Sequence, residues 1–135
     1  MAVLSIFRPL EPADFSVLVL RGLVEMGPYE GELCLELGVS YWITHSHTRL
    51  DQAVPTMLAM RDALIEASGL SIATEPVPFW GVKPRVDVLN LAVYLRGLIT
   101  RAAVEAKCGV EDMVERALRI IREYDRSAVR MKALG

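Results

Sequence analysis

Residues 31–47 read GELCLELGVSYWITHSH, and the way this stretch is read decides the fold. Taken two at a time, Leu33, Leu35, Leu37, Val39, Tyr41 and Ile43 fall on one side. Glu32, Cys34, Glu36, Gly38, Ser40, Trp42, Thr44 and Ser46 fall on the other. Side chains alternate faces along a strand, so a sustained period of two predicts β-structure with one buried face. The parity is unbroken across Gly38, which fits one long bent strand or a hairpin with an odd-numbered loop such as Gly38-Val39-Ser40; a two-residue turn would move the second apolar set to the wrong face. On this reading Trp42 stands on the less apolar face, and the strand runs out into His45, His47 and Arg49.

Working outward, AVLSIF at 2–7 reads as a first strand. Pro12 and Asp14 suit the first turn of a helix that runs to about Met26, with Phe15, Leu18, Val19, Leu23 and Met26 inward. Gly27-Pro28 stops it. After the 31–47 element, Thr48 suits an N-cap with Asp51 three residues on, and a helix over 49–68 is expected. Pro55 implies a kink there or a later start, and Gly69 suits the end. LSIATE at 70–75 reads as a further strand, and PVPFWGVKPR at 76–85 as a stiff loop. Asp87 suits the cap of a helix whose Val88, Ala92, Leu95, Ile99, Ala102 and Ala106 repeat at 4-3-4-3-4 spacing, ended by Gly109. A last helix spans about Glu111 to Met131, burying Met113, Ala117, Ile120, Ile121 and Tyr124. The order β-α-β-β-α-β followed by two helices is the split pattern of ferredoxin-like domains, an α+β fold. One domain is expected over 1–135, with 1–76 forming the sheet part and 87–133 the C-terminal helical pair.

An apolar content of 53% with 24% charged residues describes a globular chain. No apolar run reaches the ~18 residues of a membrane span, and the N-terminus lacks the basic region and cleavage site of a signal peptide. A cytoplasmic protein without a membrane partner is therefore expected. Cys34 and Cys108 belong to no C-x-x-C pair, which excludes a zinc ribbon or thioredoxin motif. The chain holds a single Asn and a single Gln, and depletion of thermolabile amides is a thermophile habit. Residues 1–75 hold ten acids and four bases, and residues 76–135 hold seven acids and eleven bases. Such asymmetry permits a polyanionic partner without requiring one.

Two aromatic-basic stretches carry the candidate chemistry: Tyr41, Trp42, His45, His47 and Arg49, and Phe79, Trp80, Lys83 and Arg85. Single-stranded nucleic acids are held by rings that stack bases and by cations that meet phosphates, and open sheet faces bearing aromatics serve this purpose in RNA-recognition domains. The competing reading packs Trp42 beneath the C-terminal helices and makes the aromatics and the 88–106 seam a homo-oligomer interface, dimeric or tetrameric. Arg116, Arg119, Arg122, Arg126 and Arg130 could form a stripe for a phosphate backbone, but Asp112, Glu115 and Glu123 share the sector and make a solvated, salt-bridged face the plainer reading. His45 and His47 would share a strand face and could hold a metal ion, making a small metal-dependent enzyme or regulator a third reading; no third ligand stands near, and no cofactor is expected. Walker, dinucleotide-binding, zincin and nucleophile-elbow motifs are absent, so nothing argues for an enzyme.

In the stretches YWITHSHTR (41–49) and PFWGVKPR (78–85) the chain resembles the ThermoDBP-related single-stranded DNA-binding proteins of hyperthermophilic archaea. The resemblance implies a helix-plus-sheet domain that oligomerises and binds single strands.

Overall fold

The computed structural model describes residues 12–26, 32–71, 76–77, 81 and 83–134. They form five helices: α1 (Pro12–Met26), α2 (Glu32–Ser46), α3 (Leu50–Ser68), α4 (Pro84–Ala106) and α5 (Val110–Leu134). No strand occurs among the described residues, so the α+β, ferredoxin-like expectation is overturned. The candidate strand 2–7 and most of 70–75 lie outside the described residues; Leu70 and Ser71 are irregular.

The decisive correction is at 31–47, where the expected strand is helix α2. Leu35, Val39, Trp42 and Ser46, spaced 4-3-4, are its buried stripe, which is the helical period. The helix ends on His47, which takes the left-handed conformation at φ 54°. The Thr48 N–H donates back to the Ile43 carbonyl at 3.1 Å, and the His47 N–H to that of Thr44 at 3.3 Å. This closes the last turn in the manner of a Schellman cap. The Thr48 hydroxyl lies 2.6 Å from Ser46 Oγ instead of capping α3, whose N-cap is Arg49.

α3 keeps Pro55 inside it and ends, as expected, on a left-handed Gly69. α4 starts at Pro84, where a missing N–H costs nothing in a first turn. Asp87, expected as its cap, is buried within that first turn instead. Its end is set by Lys107 at φ 57°, two residues before the expected Gly109, with the Cys108 N–H donating to the Ala103 carbonyl. The inner seam of α4 is buried as its spacing implies, through Val88, Ala92, Leu95, Ile99 and Ala102, and Leu91, Leu98 and Ala103 widen it. In α5, Met113, Val114, Ala117, Leu118 and Ile121 are buried; Tyr124, expected inward, is exposed and donates to Glu66 at 3.3 Å.

Buried residues from all five helices make one core cluster. α1 and α4 each pack against the four other helices, whereas α2 rests on α1 and α4. The α1–α2 seat is made by glycines. A Cβ added at Gly22 would stand 2.6–2.8 Å from three indole atoms of Trp42. One added at Gly38 would run into the Met26 methyl and stand 3.2 Å from the same ring. The two glycines thus let the Trp42 indole lie flat in the α1–α2 junction, and this is why glycine persists inside two helices despite its cost there.

Candidate interaction surface

The fold sorts the sequence candidates into two environments. Trp42 is 4% exposed and belongs to the core, its indole set against Gly22 of α1 and Gly38 of its own helix. Tyr41, one residue before it, is 52% exposed and stacks on His45, with ring centroids 4.0 Å apart and planes at 26°. His47, Arg49, Lys83 and Arg85 are exposed, Arg49 pairing with Asp51 at 3.2 Å. Phe79 and Trp80 lie outside the described residues. The two stretches meet: Thr44, Leu50 and Arg85 line one groove, so the end of α2 and the starts of α3 and α4 share one end of the molecule. Neither N-cap there, Arg49 or Lys83, makes a side-chain capping bond. His45 sits on a helix and His47 in its closing turn, so the shared strand face expected of them is gone. Among the described residues no three His, Cys, Asp or Glu side chains gather as a metal site.

A second surface was not anticipated. The exposed large apolar residues among those described are Leu37, Tyr41, Leu50, Val86, Val93, Val104 and Tyr124. All but Tyr124 lie on α2, on α4 or at the start of α3 beside them. On α2 they continue a stripe of Cys34, Leu37, Tyr41 and Thr44, exposed and spaced 3-4-3, opposite the buried stripe. On α4 they belong to Val86, Asn90, Val93, Gly97, Thr100 and Val104, spaced 4-3-4-3-4. Neither stripe holds an ionisable carboxylate, Lys or Arg, which is unusual for the outer face of a surface helix. Between the stripes runs a groove of about 210 Å³, floored by Val39, Ile43, Leu50 and Leu89 and rimmed by Glu36 and Arg85. On α4, Leu89 turns to this groove, and Tyr94, on the other flank, accepts from Arg61 of α3 at 3.1 Å. The stripe headed by Val86 and Val93 lies between these flanks and faces away from the core. Sequence reading caught the inner seam of α4 and missed the outer one, though its signal, a heptad run of small uncharged residues, was present.

The arginines of α5 are partly neutralised in place. Arg116 pairs with Asp112 at 2.9 Å and Arg126 with Glu123 at 3.2 Å. Arg21 of α1 grips Glu115 through both Nε (2.9 Å) and Nη2 (2.8 Å). That hydrogen bonding, outweighing a small desolvation effect, holds the Glu115 carboxyl below its ordinary pKa and raises that of Arg21. The side chain of Arg130 lies outside the described residues.

Comparison with protein-family models, with curated proteins and with solved structures finds no match to this chain. No described helix is long and apolar enough to cross a membrane.

Proposed function

We propose that this chain is an assembly protein that self-associates by burying the α2–α4 face. The observation that carries the reading is that, among the described residues, all exposed large apolar side chains but Tyr124 lie on α2, on α4 or at the start of α3 beside them. Scattered surface apolar residues need no explanation, but a contiguous patch marks an interaction site. α2 is apolar on two opposite sides, and a helix of that kind is at home when covered on both. Sedimentation equilibrium tests the reading. The wild-type chain should self-associate, and Leu37→Glu or Val93→Glu should return it to a monomer of unchanged helicity. Association indifferent to both substitutions would remove the face from consideration.

A second reading is single-stranded nucleic-acid binding at the end where α3 and α4 begin. It is favoured by the convergence there of His45, His47, Arg49, Lys83 and Arg85 around two helix N-termini that lack side-chain caps. Positive helix ends and arginines suit phosphate, and the exposed Tyr41 replaces Trp42 as the stacking ring. Fluorescence anisotropy with labelled oligo-dT and oligo-U tests it. Binding should weaken with salt and fall in Arg49→Glu and Arg85→Glu; no binding at low salt excludes it.

A further inference from the structure

We infer that the occupant of the α2–α4 face is a second copy of this chain, set about a two-fold axis so that α2 of each protomer lies across α4 of the other. The inference rests on the reading of that face as an interface, and adds its mating geometry.

Charge selects the crossing. α2 contains Glu32 and Glu36 and no Lys or Arg. α4 contains Arg85, Arg96 and Arg101 against Glu105, its other acid, Asp87, being buried. The same contrast runs through the chain, with an acidic first half and a basic second half. Laying α2 across α4 sets acid against base in both copies of the contact. Laying α2 on α2 and α4 on α4 sets like against like, which is disfavoured.

Shape agrees with charge. The α2 stripe is built on the larger Leu37 and Tyr41, whereas the α4 stripe is Val, Asn, Val, Gly, Thr and Val. A Cβ at Gly97 would meet nothing within 4 Å on its own chain, so the middle of the α4 stripe is open and carries no side chain there. Both stripes keep the alternating three- and four-residue spacing with which knobs on one helix enter holes on another. Large against small fills the contact; α2 on α2 would crowd it and α4 on α4 would leave it void.

The area fits a small dimer interface. Helices of 15 and 23 residues are about 22 and 34 Å long at 1.5 Å per residue. Side by side, each about 10 Å across, they present roughly 560 Å² in projection, below the ~800 Å² per partner of a standard interface and at the small end of specific ones. A two-fold arrangement uses both α2 and both α4 surfaces at once, so assembly closes at two copies.

Cross-linking tests the geometry. In a Cys34→Ser, Cys108→Ala background, one chain carries Leu37→Cys and a second, size-tagged chain carries Val93→Cys. After mixing and mild oxidation, the mixed-chain disulfide should dominate, with little product from either chain alone. As a readout free of cysteines, Glu36→Arg should weaken association several-fold at low salt, because with Glu32 left it brings α2 from a net charge of −2 to zero and removes its attraction to a basic α4. With α2 on α2 the same change would relieve like-charge repulsion, so affinity would not fall. If association is lost in Val93→Glu but only like cysteines cross-link, or Glu36→Arg has no effect, the crossing is wrong while the interface stands. A monomer at every concentration, or a dimer untouched by Leu37→Glu and Val93→Glu, overturns both.

Discussion

Substituting Gly22 by Ala tests the α1–α2 seat through the sign of the stability change. In an open helical site Gly→Ala stabilises by up to about 1 kcal/mol, because glycine loses the most backbone freedom on folding. Gly97 is such a site on a single chain, with nothing within 4 Å of the added Cβ. At Gly22 the new methyl would stand 2.6 Å from Trp42 Cζ2, 2.7 Å from Nε1 and 2.8 Å from Cε2. An indole is rigid, and this one is buried, so the helices must separate or the ring must leave its rotamer. Overpacking of this kind costs about 1–3 kcal/mol. Set against a propensity gain of about 1 kcal/mol, the net is a loss of up to about 2 kcal/mol, or a Tm lower by up to roughly 6 °C for a chain of this size. Gly38→Ala should be milder, since its closest obstacle is the end of a flexible Met26 side chain. The assay is thermal and urea unfolding of Gly22→Ala, Gly38→Ala and Gly97→Ala, at protein concentrations low enough to keep the chain monomeric. Trp42→Leu, which removes the ring, should turn Gly22→Ala from destabilising to neutral or stabilising. If Gly22→Ala raises Tm as Gly97→Ala does, the indole is not seated on Gly22 and the packing of α2 is wrong.

Two further outcomes follow from the same structure. Glu115→Gln should cost less than ~1 kcal/mol at pH 7, because both members of the Arg21 pair are about half exposed to solvent. The Glu115 pKa is lowered on folding, so its contribution is present in full above the ordinary carboxylate value of 4.5 and fades as pH falls below it through the lowered one. Urea titrations of wild type and variant should converge at acid pH and at high salt; a gap that persists there would assign the effect to packing. In a Trp80→Phe chain, fluorescence reports Trp42 alone, which should resist acrylamide and stay unchanged on adding oligonucleotide. Quenching by either would show the ring at the surface.

The sequence was legible where a local signal had one structural meaning. Pro12, Gly69 and the 88–106 seam marked α1, the end of α3 and the inner face of α4. Boundaries shifted where backbone conformation overrode residue type: Lys107 rather than Gly109 supplies the left-handed residue that ends α4, and Pro84 starts α4 ahead of Asp87. Trp42 could not be placed from its neighbours in sequence, because its burial depends on the missing side chain of Gly22, twenty positions away on another helix. The meeting of the 41–49 and 83–85 cations was likewise invisible, since it follows from α2, α3 and α4 sharing one end.

The misreading of residues 31–47 has a physical cause that bears on function. A one-faced amphipathic helix shows apolar residues three and four apart, and its outer positions are polar. α2 instead carries two apolar stripes on opposite sides, the buried one through Leu35, Val39 and Trp42 and the outer one through Leu37 and Tyr41. Successive odd positions then alternate between the stripes: Leu35 in, Leu37 out, Val39 in, Tyr41 out. Two positions on a helix are 200° apart, close to the half-turn that separates opposite faces, so a helix apolar on both sides imitates the period of a strand. The imitation requires the second stripe. A helix closing its core from one side would have Lys, Glu or Gln at positions 37 and 41, and its 3.6-residue period would have been plain. The strand-like pattern of 31–47 is therefore the sequence trace of a helix apolar on two opposite sides, of which the described residues bury one.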